Sequence, residues 1–108
     1  MPVVARITEG RTARLTFTLL SDGSAVNGTG ITVSNLYITG AGGQVVDTSS
    51  DFGWVTAASG TAYYDPDATD FDAKQSPYRI RFELTDGSGK IAFHPEGEAD
   101  TIVVSPLR

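Results

Sequence analysis

The sequence has no cysteine, and among its 108 residues there is a single histidine, a single tryptophan and a single methionine. Without cysteine there are no disulfides, thiolate metal sites or cysteine nucleophiles, so nothing covalent staples the fold. Apolar runs are only a few residues long, as in Ile102-Val103-Val104, far below the roughly 20 residues of a membrane-spanning helix. No membrane is expected as a partner. Positive charge is scarce: eight Lys and Arg face thirteen Asp and Glu, a formal charge of -5 with a pI near 4.5. A phosphate-binding footprint needs clustered Lys and Arg, so no nucleic-acid partner is expected. The N-terminus, Met-Pro-Val-Val-Ala-Arg-Ile-Thr, lacks a charged region followed by an apolar run and a small-residue cleavage site, and synthesis in a cytoplasm is expected. What is present suffices for a core: 40% hydrophobic and 19% charged residues, with a mean hydropathy of -0.09, predict one folded domain over residues 1–108.

The dominant period is two, the spacing that sends alternate side chains to opposite faces of a strand. Ala13, Leu15, Phe17 and Leu19 alternate with Arg14, Thr16 and Thr18; Tyr78, Ile80, Phe82 and Leu84 alternate with Arg79, Arg81, Glu83 and Thr85. Ile31 and Val33 occupy one parity and Leu36 and Ile38 the other. That slip predicts a bulge near Ser34 and Asn35, or a strand changing sheets. Shorter strands are expected at 3–7, 44–46, 52–56, 61–64, 91–93 and 101–104. Turn residues punctuate them at Ser21 to Ser24, Asn27 to Gly30, Gly40 to Gly43, Ala57 to Gly60 and Asp86 to Gly89. The stretch Pro66 to Ser76 alone suits a helical turn, capped by Asp or Thr and ended by Pro77. Seven to nine short strands in this length predict an all-β protein, an antiparallel β-sandwich with an immunoglobulin-like topology.

Catalytic chemistry is poorly supplied. His94 is the only imidazole, no Gly-x-Ser-x-Gly elbow exists, and Ser59 and Ser88 fall in expected hairpin turns without a base at motif spacing. No enzyme activity and no cofactor are expected, and His94 reads as a strand-end residue. The sharpest metal candidates are Asp65, Asp67, Asp70 and Asp72, since Ca²⁺ takes several oxygens from one flexible loop. Counted from Asp65, however, the sixth position is Asp70 where an EF-hand needs Gly, and the twelfth is Ser76 where it needs Glu. Helix capping and solvation are the simpler reading. Gly40 to Gly43 and Gly87 to Lys90 do not lead into a helix and read as turns rather than phosphate cradles. Asn27-Gly28-Thr29 also reads as a turn.

Interaction residues stand out more. Trp54, Tyr63 and Tyr64 fall where neighbours point to opposite faces, so at least one faces outward, and Tyr37 lies opposite in parity to Leu36 and Ile38. Arg79 and Arg81 project from the polar face of their strand. Trp54, Tyr37 and Tyr63, with Arg79 and Arg81, are therefore the expected partner-contacting residues.

Several ordered pieces carry a family resemblance. Arg14 to Val26, Gly30 to Val33 and Ser59 to Tyr64, then Pro77 to Gly87, Gly89 to Gly97 and Thr101 to Val104, resemble the immunoglobulin-like domain at the N-terminus of bacteriophage baseplate upper proteins and in small phage structural proteins. A Tyr-anchored strand, an Asp-Gly turn, a Phe-Pro segment and a valine-rich last strand occur there in this order. The sequence departs from the pattern in its Gly- and Ser-rich 40–50 region and in His94 between Phe93 and Pro95. The resemblance implies a non-enzymatic virion protein made in the host bacterial cytoplasm and acting by contact with other phage structural proteins, in many copies per particle. Because the chain stops at Pro106-Leu107-Arg108, a self-contained brick is expected: a capsid decoration or cement protein on the major capsid protein, with a tail, neck or baseplate component as the alternative. A carbohydrate- or receptor-binding module, with Trp54 and tyrosines as stacking platforms, is the alternative from another class.

Overall fold

The computed structural model describes residues 3–21, 23–48, 51–95, 97 and 99–107. Asp22 of the first expected turn, Ser49 and Ser50 of the divergent region, and Glu96 within the resemblance lie outside the described residues.

The chain is all-β. In order it forms β1 (Val3–Thr8), β2 (Leu15–Thr18), β3 (Leu20–Ser21), β4 (Ser24–Ala25), β5 (Thr32–Thr39), β6 (Phe52–Thr56), β7 (Thr61–Tyr64), β8 (Tyr78–Thr85), β9 (Ile91–His94) and β10 (Asp100–Ser105), with short 3₁₀ turns at Ala57–Ser59 and Ala73–Gln75. The count exceeds the expected seven to nine because a hairpin of two short strands, β3 and β4, is added, while the expected strand at 44–46 is not formed. One sheet runs β1-β10-β8-β5 with β9 also on β8, and the other runs β2-β7-β6. All pairings are antiparallel except β1 with β10, which run parallel from Val3↔Thr101 to Thr8↔Ser105.

The two sheets face each other across one apolar core. From β2 come Leu15 and Phe17, from β7 Ala62 and Tyr64, and against them pack Leu36 and Ile38 of β5 and Tyr78, Ile80, Phe82 and Leu84 of β8, all buried. Phe17 and Phe82 meet across the layers with ring centroids 5.6 Å apart. Phe71 sits edge-on to both Tyr64 and Tyr78, at 6.3 and 5.0 Å, an arrangement favoured by the ring quadrupoles.

The parity slip in β5 is a bulge. Val33 pairs with Leu84 and Asn35 with Glu83, leaving Ser34 as the extra residue. Val33 and Leu36 thereby both reach the core, and the Ser34 hydroxyl oxygen lies 3.1 Å from the Glu83 carbonyl. The helical turn expected between Pro66 and Ser76 is the short one at Ala73–Gln75, where the Asp72 carboxylate accepts from the Lys74 N–H at 2.9 Å. The strand expected at 44–46 is instead a single bridge, Thr39↔Val45. Across the Gly40 to Gln44 turn the Gly40 N–H donates to the Gln44 carbonyl at 2.7 Å and the Val46 N–H to the Ile38 carbonyl at 2.9 Å, and Val45 is left 77% exposed.

Candidate interaction surface

The inward side chains of β8 commit Arg79, Arg81, Glu83 and Thr85 to the outer face of the larger sheet. Beyond its bulge, β5 turns Tyr37 outward directly opposite Arg81, and Thr39 opposite Arg79. The Asp86 turn adds the third strand: Asp86 Oδ1 accepts the N–H groups of Ser88 and Lys90 at 2.9 and 3.0 Å. That turn sets the register that places Phe93 opposite Glu83. Tyr37, Thr39, Arg79, Arg81, Phe93 and Ala99 line a shallow open depression of about 480 Å³.

Glu83 holds this face together from one side. Its carboxylate accepts from the Tyr37 hydroxyl at 2.9 Å through one oxygen and from the Ser34 hydroxyl at 2.9 Å through the other. The hydrogen bond to Glu83 keeps the Tyr37 phenol protonated above its usual range. The Arg81 guanidinium donates to the Gly97 carbonyl, while its Nε is enclosed without an acceptor among the described residues. Arg79 is exposed, and its side chain makes no hydrogen bond or ion pair among the described residues. Aromatic rings beside guanidinium groups, rimmed by hydroxyls, are the composition of contact surfaces. This face presents that composition.

The five expected contact residues do not form one site. Tyr37, Arg79 and Arg81 come together; Tyr63 and Trp54 belong to the other sheet. Tyr63 faces outward there, but the Arg14 guanidinium lies 3.8 Å from its ring centroid. Arg14 is fixed in turn by two hydrogen bonds to Asp65, at 2.7 and 2.9 Å, which raise the guanidinium pKa and hold the Asp65 carboxyl below its usual range. Trp54 corrects the expectation of an outward anchor. It pairs with Ala62, whose side chain is fully buried, so the indole shares the inward face; it packs on the core and donates from Nε1 to the Ile31 carbonyl at 2.8 Å.

Asp65, Asp67, Asp70 and Asp72 do not converge either. Asp65 is engaged by Arg14, Asp70 accepts from the Tyr64 hydroxyl and from the Asp67 N–H at 2.8 Å, and Asp72 caps its 3₁₀ turn. Among the described residues no group of three or more His, Cys, Asp or Glu is placed to hold a metal ion. The loop's carboxylates hold backbone and side chains instead. His94, opposite Phe82, is half-buried at the end of β9 and lines a groove between the sheets.

Phe93 was not among the expected contact residues. Continuing the period of two through the Asp86–Gly89 turn would have found it, since Ile91 and Phe93 fall in phase with Thr85 and Glu83. Asp100 gave no comparable signal, because its inward placement follows from its pairing with Ile80.

No protein-family model matches the chain, and no curated protein matches it at a significant level.

Proposed function

We propose that this protein is a non-enzymatic structural component of a bacteriophage virion, an immunoglobulin-like brick bound in many copies to the capsid exterior through its Tyr37–Arg81 face. The observation that carries the contact role is the convergence of Tyr37, Phe93, Arg79 and Arg81 from three strands onto one depression. The strand order supports the immunoglobulin-like part: β2, β7 and β6 take the places of strands B, E and D, and β5, β8 and β10 those of C, F and G. The virion assignment rests on the sequence resemblance described above. A standard interface takes about 800 Å² from each partner, against a total surface of 6030 Å², so one sheet face is enough. Binding energy is then the whole mechanism, with the rings supplying buried area and the two arginines meeting carboxylates or carbonyls of the major capsid protein.

A seat on the tail, neck or baseplate is the second reading, favoured by the same resemblance to baseplate domains. The carbohydrate-binding reading is weakened because Trp54 is turned inward and Tyr63 is covered by Arg14.

Cryo-electron microscopy of the parent particle tests the proposal. Density repeated over the capsid lattice with the Tyr37 face against the shell is the expected result. Density confined to the tail axis makes it a tail component, and absence from purified particles refutes a virion role. In a binding assay with particles lacking the protein, Tyr37→Ala/Arg79→Ala fails to dock while Tyr63→Ala docks normally.

A further inference from the structure

Between the sheets, on the inner side of β8, lies a second feature. Among the described residues β1 pairs only with β10, and β2 only with β7, so each sheet ends there in an edge unpaired by them, and both edges border the same opening. Two adjoining hollows of about 190 and 210 Å³ fill it. Phe17 and Phe82 reach their floor and Val4, Leu20 and Pro95 stand along their walls. Val4 is 40% and Leu20 54% exposed, so apolar side chains open to solvent flank the hollows.

The edge of β2 is competent to pair. The Leu19 N–H donates to the Gly60 carbonyl at 2.8 Å, so with a period of two Leu15 and Phe17 also turn their backbone groups toward β7. Thr16 and Thr18 then present theirs to the opening, with no partner among the described residues. Unpaired strand edges are templates for another strand.

One charge lies in this groove. Asp100 pairs with the buried Ile80 and so projects its carboxylate inward, where it makes no hydrogen bond or ion pair among the described residues. Desolvation pushes its pKa up. An acidic group set among apolar walls selects a basic one.

We propose that this groove receives an extended segment of a neighbouring protein chain, added as a strand to the edge of β2, with apolar side chains turned inward at alternate positions and a Lys or Arg meeting Asp100. The occupant is a different protein with that strand chemistry, from a virion or not, so failure of the virion reading leaves the groove's role untouched.

The test is an NMR titration of the intact protein with acetyl-Thr-Val-Thr-Lys-Thr-Val-amide and its counterpart carrying Glu in place of Lys. The Lys peptide is expected to shift Val4, Leu20 and His94 signals and to protect the Thr16 and Thr18 amides from exchange. The Glu peptide is expected to bind at least about tenfold more weakly, since like charges meet in a partly desolvated site. Thr16→Pro removes an outward N–H while sparing the β2–β7 ladder, and should abolish binding. If it does not fold, Leu20→Lys, which sets a like charge beside the peptide's Lys on an exposed wall, should weaken binding of the Lys peptide instead. Asp100→Asn should erase the preference for Lys. No shifts at millimolar peptide, equal binding of both peptides, shifts confined to the Tyr37–Arg79 face, or occupation of β2 by a second copy of the chain would each overturn the proposal.

Discussion

Trp54 and Ile31 are joined by a hydrogen bond from the indole Nε1 to the backbone carbonyl, 2.8 Å long, that ties β6 to the start of β5. The ring is so close to Gly28 that a Cβ there would stand 2.4 Å from Cζ2. Trp54→Phe keeps most of the ring and strands the carbonyl, and should cost about 1 kcal/mol in denaturant unfolding. Trp54→Ala should cost about 2–4 kcal/mol, because the cavity term is added at a half-buried site. Binding through the Tyr37 face should be unchanged in both.

Gly60 is required twice over. Its φ is +66°, and a Cβ would lie 2.4 Å from the Val26 carbonyl oxygen and 2.9 Å from the Val26 nitrogen. Gly60→Ala should therefore lose about 2–4 kcal/mol, combining left-handed strain with a clash against backbone. Gly89 has φ +84° but open space around it, and Gly89→Ala should cost only about 1 kcal/mol. Thermal melts of the two variants separate the contributions.

Asp100 sets the sign of one pH effect. Its carboxyl pKa is raised by burial above the ordinary 3.8, so the native state holds the proton more tightly than the unfolded chain. Its contribution to stability is present in acid and lost as pH rises from 3.8 through the raised native value. Asp100→Asn should be more stable than the wild type at pH 7, by less than about 1 kcal/mol because the group remains largely solvated. The difference should shrink as pH falls toward 3, as read from urea midpoints across that range.

The acidic loop should ignore calcium. Asp65, Asp70 and Asp72 already hold Arg14, Tyr64 and the Lys74 amide, so millimolar Ca²⁺ is expected to leave the melting temperature unchanged. Asp70→Ala should instead lower stability by about 1–3 kcal/mol, since it removes the acceptor of the deeply buried Tyr64 hydroxyl. Burial, with Asp70 beside it, keeps that phenol protonated well above the usual tyrosine range. A calcium-dependent rise in melting temperature would restore the cation-site reading.

Local features were legible in the sequence wherever one strand's own pattern decided them. The alternation of β2 and β8, the bulge at Ser34 and the outward positions of Tyr37, Arg79 and Arg81 all follow from parity. Trp54 was misread because its direction depends on the partner it pairs with: only the register against Ala62 turns the indole inward. The same holds for Asp100, aimed by Ile80, and for the Arg14–Tyr63–Asp65 cluster, which joins residues 51 positions apart in the chain. Where Val45 was expected in a strand, pairing across the tight Gly40–Gly43 loop stops at a single bridge to Thr39, a limit that the apolar run itself does not encode.

The parallel alignment of β1 and β10 has a mechanical consequence. Val3 begins β1 at one end of the ladder and Ser105 finishes β10 at the other. Tension applied through the two ends of the chain runs along the strands, loading the ladder's hydrogen bonds in shear all at once rather than peeling them apart one by one. Forced unfolding is governed by the unfolding barrier, and in this geometry that barrier includes the whole ladder. A domain so strung resists stretching best along the direction in which a chain would tether it.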